Sequence, residues 1–180
     1  MIDAETLEGQ QQIKMIIEEA QRLRGWLANS YAQIEYLLGD LIVRSLTMPE
    51  YEQLGSTLPH DAPRRIKRAR HIIEAGGWIG KFSQELNEIL DNFEKKHETR
   101  NLLAHGFCEF LYTPDGDAGM RFSKWHYQPD RQDARLQRTF RLNDLQREQT
   151  ELTALASKAV ELFFRIHDDL GLVGTKDGLA

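Results

Sequence analysis

The stretch Arg100-Asn101-Leu102-Leu103-Ala104-His105-Gly106 decides how this chain is read. It sets a cation, an amide and an imidazole close together, with two leucines and an alanine between them. The apolar residues pin the segment to a core while its polar ends stay accessible. In a helix, Arg100 and Ala104 share one face, and His105 lies to one side of it, within reach of the long arginine side chain. Gly106 is a natural helix stop. Arginine offers a planar, permanently charged fork for phosphate oxygens. Histidine moves protons near neutral pH. Together at a helix end, they suit the holding of a phosphodiester.

Toward the N-terminus, Phe82, Leu86, Ile89, Leu90, Phe93 and His97 form one stripe, which predicts a helix from Phe82 to about Ala104 that delivers Arg100. Before it, Pro63 to Ala75 reads as a short helix ending at Gly76-Gly77, with Asp61 or Ala62 before the proline of its first turn. Its run Arg64-Arg65-Ile66-Lys67-Arg68-Ala69-Arg70-His71 is the most basic in the chain. One reading is a solvated face with Ile66, Ala69, Ile72 and Ile73 turned inward. The other is an RNA phosphate cradle formed by Arg64, Arg65 and Arg68. Thr47 to Pro63, punctuated by Pro49, Gly55, Pro59 and Pro63, reads as a loop.

Glu5 to Leu46 carries an unbroken apolar stripe, Ile13, Ile16, Ile17, Ala20, Leu23, Leu27, Tyr31, Ile34, Leu38, Leu41 and Ile42 among it. As one helix it is about 60 Å long, so it either breaks, at Gly25 or Gly39, or projects, with the overhang packing on a second subunit. Glu94 and His97 make one Glu-x-x-His pair, but a carboxylate-bridged metal bundle needs two such pairs and further carboxylates. No metal or cofactor is expected.

Beyond Gly106 the period changes. Phe107 to Tyr112 alternates, Pro114 to Gly119 signals a turn, and Met120 to Tyr127 alternates again, so a β-hairpin is predicted. After a polar loop from Gln128 to Ala134, Leu136 to Arg141 is a candidate third strand. Arg121, Lys124, Arg131, Arg135, Arg138 and Arg141 interleave with aromatics there, a pattern that suits either RNA contact or a small solvated sheet covering the bundle. Asn143 is expected to open the last helix, with Gln146 completing a capping box and Gly171 ending it.

These elements add up to a mainly α fold: an antiparallel helical bundle over residues 1–172, with a β-hairpin or three-stranded sheet inserted at about 107–141 and a flexible tail at 173–180. A chain of 180 residues supports one such core. A net charge of −5 argues against a general nucleic-acid coating protein but permits a local basic grip. The single cysteine, Cys108, makes neither an internal disulfide nor a thiolate zinc cluster, which suits a reducing, cytoplasmic setting. The N-terminal residues show no signal-peptide pattern, and no stretch is long and apolar enough to span a bilayer.

At Arg100-Asn101-Leu102-Leu103-Ala104-His105 the sequence resembles the HEPN domain family, whose signature is an arginine, a polar residue, a short spacer and a histidine. With Gly106, the string looks like the HEPN variant closed by Ala-His-Gly. The resemblance implies a mostly helical, homodimeric protein. Many members are metal-independent ribonucleases of toxin–antitoxin, phage-defence and RNA-processing systems, and others have lost catalysis. It therefore implies RNA as substrate, Arg100, Asn101 and His105 as the catalytic set, and a possible antitoxin as partner. RNA carries its own nucleophile, the 2′-OH. An enzyme need only help move that proton, stabilise the crowded phosphorane and protonate the leaving 5′-oxygen. The alternative is a non-catalytic dimerisation module binding RNA, nucleotide or a partner protein. In a purely structural role, Arg100 pairs with Glu98 or the surroundings of Glu94, Asn101 caps, and His105 packs beneath the hairpin.

Overall fold

Four helices and three strands form in this computed structural model, which describes residues 5–55, 57–113, 118–125 and 134–170. The helices are α1 (Leu7–Ser45), α2 (Ala62–Ala75), α3 (Ser83–His105) and α4 (Leu142–Asp169), and the strands are β1 (Phe107–Tyr112), β2 (Ala118–Trp125) and β3 (Arg135–Arg141). The expected tip of the hairpin at 114–117, the end of the second strand and the polar loop at 126–133, Arg131 included, and the tail at 173–180 lie outside the described residues. No described helix is long and apolar enough to cross a membrane.

α1 runs unbroken for 39 residues, so of the two alternatives the break at Gly25 or Gly39 does not occur. Each glycine costs a helix about 1 kcal/mol against alanine. Fully burying one leucine or isoleucine of the stripe returns about 1.5–3 kcal/mol, so the stripe wins. The segment expected as plain loop after α1 contains a 3-10 turn, Pro49–Leu54, and a second one, Gly77–Phe82, leads into α3. Asp61 caps α2 by accepting from the Arg64 backbone N–H at 2.9 Å. The capping box expected at Asn143 and Gln146 is shifted. Asp144 instead reaches back to the Arg141 backbone N–H at 3.0 Å, the second half of such a box, because α4 starts directly at the end of β3.

The chain splits into two compact units, Met1–Ser30 with Glu98–Thr153, and Tyr31–His97 with Ala154–Ala180. The boundary falls within α1, α3 and α4.

In the first unit the three strands form an antiparallel sheet in the order β1-β2-β3. The register pairs Phe107 with Ser123, Cys108 with Phe122, Phe122 with Arg138 and Trp125 with Arg135. Side chains alternate across a strand, so Met120, Phe122 and Phe140 share one face. All three are buried, with Leu23, Leu27, Leu102, Leu145 and Leu152 also in this unit's core. Phe122 and Phe140 meet edge-on with centroids 5.9 Å apart. The Cys108 thiol is half-buried, and that burial pushes its pKa up.

In the second unit, Ile34, Leu38, Leu41, Ile66, Ile72, Leu86, Leu90, Phe93, Phe163 and Ile166 are among the core residues. Tyr31 stacks obliquely on Phe93 and donates to the Lys96 carbonyl at 3.0 Å. Arg70 bridges Asp91 and Glu94 at 2.8 and 2.9 Å, so the Glu94 carboxylate serves an ion pair. Asp40 accepts from both Arg44 and His167, at 2.8 and 2.7 Å.

Buried Tyr51 ties the first 3-10 turn to the second, donating to the Gly76 carbonyl at 2.7 Å. Burial pushes its phenol up to about 12. The folded chain therefore holds the neutral form more firmly than the unfolded chain, where the value is 10.0. That contribution is complete below pH 10 and is lost as pH rises toward 12. Tyr51→Phe strands the Gly76 carbonyl and is expected to cost about 1 kcal/mol at neutral pH. The gap between the two proteins should close above pH 10 in melting curves, and a gap constant up to pH 12 would contradict the assignment.

Candidate active site

The site is built on the last turn of α3 and the residues that hold it. Leu102 and Leu103 are buried and anchor the turn in the core of the first unit. The Gly106 backbone N–H closes the final helical bond onto the Leu102 carbonyl at 2.8 Å. A Cβ at Gly106 would stand 2.4 Å from that carbonyl oxygen, so only glycine lets the chain leave the helix this tightly. The next carbonyl, that of Leu103, is taken by Arg24 of α1, whose Nε and Nη2 donate to it at 2.9 and 2.7 Å. A guanidinium on helix C-terminal carbonyls also answers the negative end of the helix dipole. Arg24 is itself braced over the Phe122 ring, 5.3 Å from its centroid. From β3, Arg138 lies 4.7 Å over Phe140 and donates to Thr99 Oγ1 at 2.9 Å.

These contacts fix where the motif residues stand. His105 is the last residue of α3 and is exposed. It does not pack beneath the hairpin. Arg100 and Asn101 are half-buried, and Arg100 Nη1 donates to Asn101 Oδ1 at 3.0 Å. The amide therefore orients the guanidinium. Five helical steps lead from Arg100 to His105, a rise of about 7.5 Å and a rotation of about 140° around the axis. Within one chain the fold brings Arg100 to Asn101 and sets His105 more than one turn further along, on another side of the helix.

The second unit holds Arg64, Arg65 and Arg68, each engaged with the segment before α2. Arg64 pairs with Asp61 at 3.3 Å, Arg65 donates to the Pro59 carbonyl at 2.8 Å, and Arg68 donates to the Gly55 carbonyl at 3.4 Å. Those bonds give the basic run a local bracing role. Among the described residues, no group of three or more His, Cys, Asp or Glu is arranged to hold a metal ion.

No family model, no curated protein and no solved structure matches this chain.

Sequence reasoning gives no sign of Arg24 or Thr99. Arg24 sits between core leucines of α1 with nothing in its spacing to mark it, and its partner is a backbone carbonyl 79 positions away. Arg24→Met keeps the length and apolar stem but removes both donors from the Leu103 carbonyl. It is expected to cost about 1 kcal/mol and to lower Tm by about 2–4 °C, read by thermal unfolding. An unchanged Tm would mean that water replaces the guanidinium at no cost.

Proposed function

We propose that this chain is a metal-independent endoribonuclease of HEPN type that acts as a homodimer, with Arg100, Asn101 and His105 as its catalytic set. The observation that carries the reading is an exposed imidazole on the last residue of α3, following an arginine already oriented by its neighbouring amide. In the reaction, the 2′-oxygen attacks the adjacent phosphorus and the P–O5′ bond breaks. The 2′-OH proton leaves to a base, and the departing 5′-oxygen takes one up. The products are a 2′,3′-cyclic phosphate and a 5′-OH. His105 serves in proton transfer, and Arg100 balances the charge of the phosphorane. One imidazole per chain is a thin acid–base set, and the 140° rotation keeps it off the arginine's face. A two-fold pair of motifs supplies two of each group to one phosphate. A toxin or phage-defence effector in the cytoplasm, held in check by an antitoxin, is the role that fits such an activity.

The second reading is a non-catalytic dimerisation module that binds RNA, nucleotide or a partner protein. What favours it is the rotation of about 140° between Arg100 and His105 on α3, which leaves the two groups of one chain on different sides of the helix.

The test is incubation of the purified protein with total RNA in EDTA. The expected result is cleavage that leaves 2′,3′-cyclic phosphate ends. Intact RNA, with EDTA and equally with added divalent cations, sinks the nuclease and leaves the binding module.

A further inference from the structure

We infer that the outer face of the sheet, where β1 begins and β2 ends, is a base-stacking subsite for single-stranded RNA beside His105. The inference takes the identity of its polymer from the ribonuclease reading. The register puts Phe107, Ser123, Trp125 and Arg135 on the face opposite the buried Met120, Phe122 and Phe140. Phe107 and Trp125 are 68% and 70% exposed, although large aromatics usually bury most of their surface. They line one open groove of ≈ 350 Å³ together with Ser123, Lys124 and Arg135. That size falls within the range of small-ligand sites, about 300–1,000 Å³.

The floor of the groove is organised. The Ser123 side chain is buried and accepts from Arg135 Nη2 and Gln137 Nε2, both at 3.0 Å. Two flat apolar side chains and a guanidinium match a polymer of flat rings joined by anionic phosphates. A duplex is a poorer match, because its base faces are already stacked on one another. Phe107 follows His105 by two residues, a reach of at most about 7 Å along the backbone. A base resting on Phe107 therefore belongs to a nucleotide next to the phosphate that His105 addresses.

The test uses the His105→Ala protein, so that RNA stays intact, and reads anisotropy of a short fluorescent single-stranded RNA of mixed sequence. Adding Trp125→Ala is expected to weaken binding about 5- to 150-fold, and Phe107→Ala to do the same. Trp125→Phe should restore affinity to within a few-fold, which a merely structural loss would not do. Circular dichroism checks that each variant folds, and the two alanine variants stand in for each other if one does not. Unchanged affinity in both alanine variants, or no binding of single-stranded RNA by the His105→Ala protein, overturns the subsite. So does loss of self-association in Trp125→Ala with RNA affinity intact, which would make the groove a seam between copies. The two readings fail separately. A wild type that cuts nothing while Trp125 still governs binding leaves the subsite and removes the nuclease. A wild type that cuts RNA while Trp125→Ala changes neither binding nor cleavage leaves the nuclease and removes the subsite.

Discussion

If the chain is the proposed ribonuclease, His105→Ala is expected to lower RNA cleavage by about 10²–10⁴-fold, the usual worth of a positioned proton-transfer group. The fold should not notice the change. His105 is exposed at the end of α3, and substitutions at such positions stay within about 0.5 kcal/mol. Melting temperature and oligomeric state are therefore expected to match the wild type. Arg100→Ala is the companion. It is expected to remove the proposed charge stabilisation of the phosphorane and also the bond to Asn101 Oδ1, so a small loss of stability should accompany its loss of rate. The separation of the two variants is the informative part: one silent in stability, the other not. Cleavage by His105→Ala at the wild-type rate would remove the imidazole from the mechanism.

Gly106→Ala is the second large effect, and it strikes both fold and site. Its Cβ would lie 2.4 Å from the Leu102 carbonyl oxygen and 3.3 Å from Leu102 Cδ1. The oxygen belongs to the backbone of a buried turn and cannot swing aside, so the last turn of α3 must shift or open. Forcing a group into such a space costs about 2 kcal/mol, a fall in Tm of about 4–8 °C for a chain of this size. The same shift moves His105, one residue before the clash, and loosens the Leu103 carbonyl from Arg24. Cleavage should fall by more than stability alone explains when assayed well below Tm. A Gly106→Ala protein with wild-type Tm and activity would show that the exit from α3 is more compliant than its geometry implies.

Much of the local structure could be read from residue spacing. The stripe through Leu23, Leu27 and Ile34 dictated a long first helix, Asp61 with Pro63 dictated the start of α2, and Gly106 dictated where α3 stops. Alternation from Phe107 onward dictated strands. One open choice and one boundary were settled for identifiable reasons. Gly25 and Gly39 did not break α1, because one glycine weighs less than the buried neighbours on either side of it. The last helix begins at Leu142 and is capped by Asp144, because the strand before it ends without a connecting turn. Arg64, Arg65 and Arg68 formed an obvious basic run, yet their partners, a carboxylate and two loop carbonyls, are set by how the segment before α2 folds back.

The sequence by itself determined the helix-to-strand junction and the chemistry at its end, an arginine, an amide and a histidine before a glycine, because those depend on neighbours in the chain. Only the tertiary structure decided that Arg24 caps the Leu103 carbonyl, that Arg138 reaches Thr99, and that Phe107 and Trp125 border one groove. Those pairings join residues far apart in sequence. Helical and strand periodicity fix which way a side chain faces, whereas its partner is chosen by the packing of the whole core.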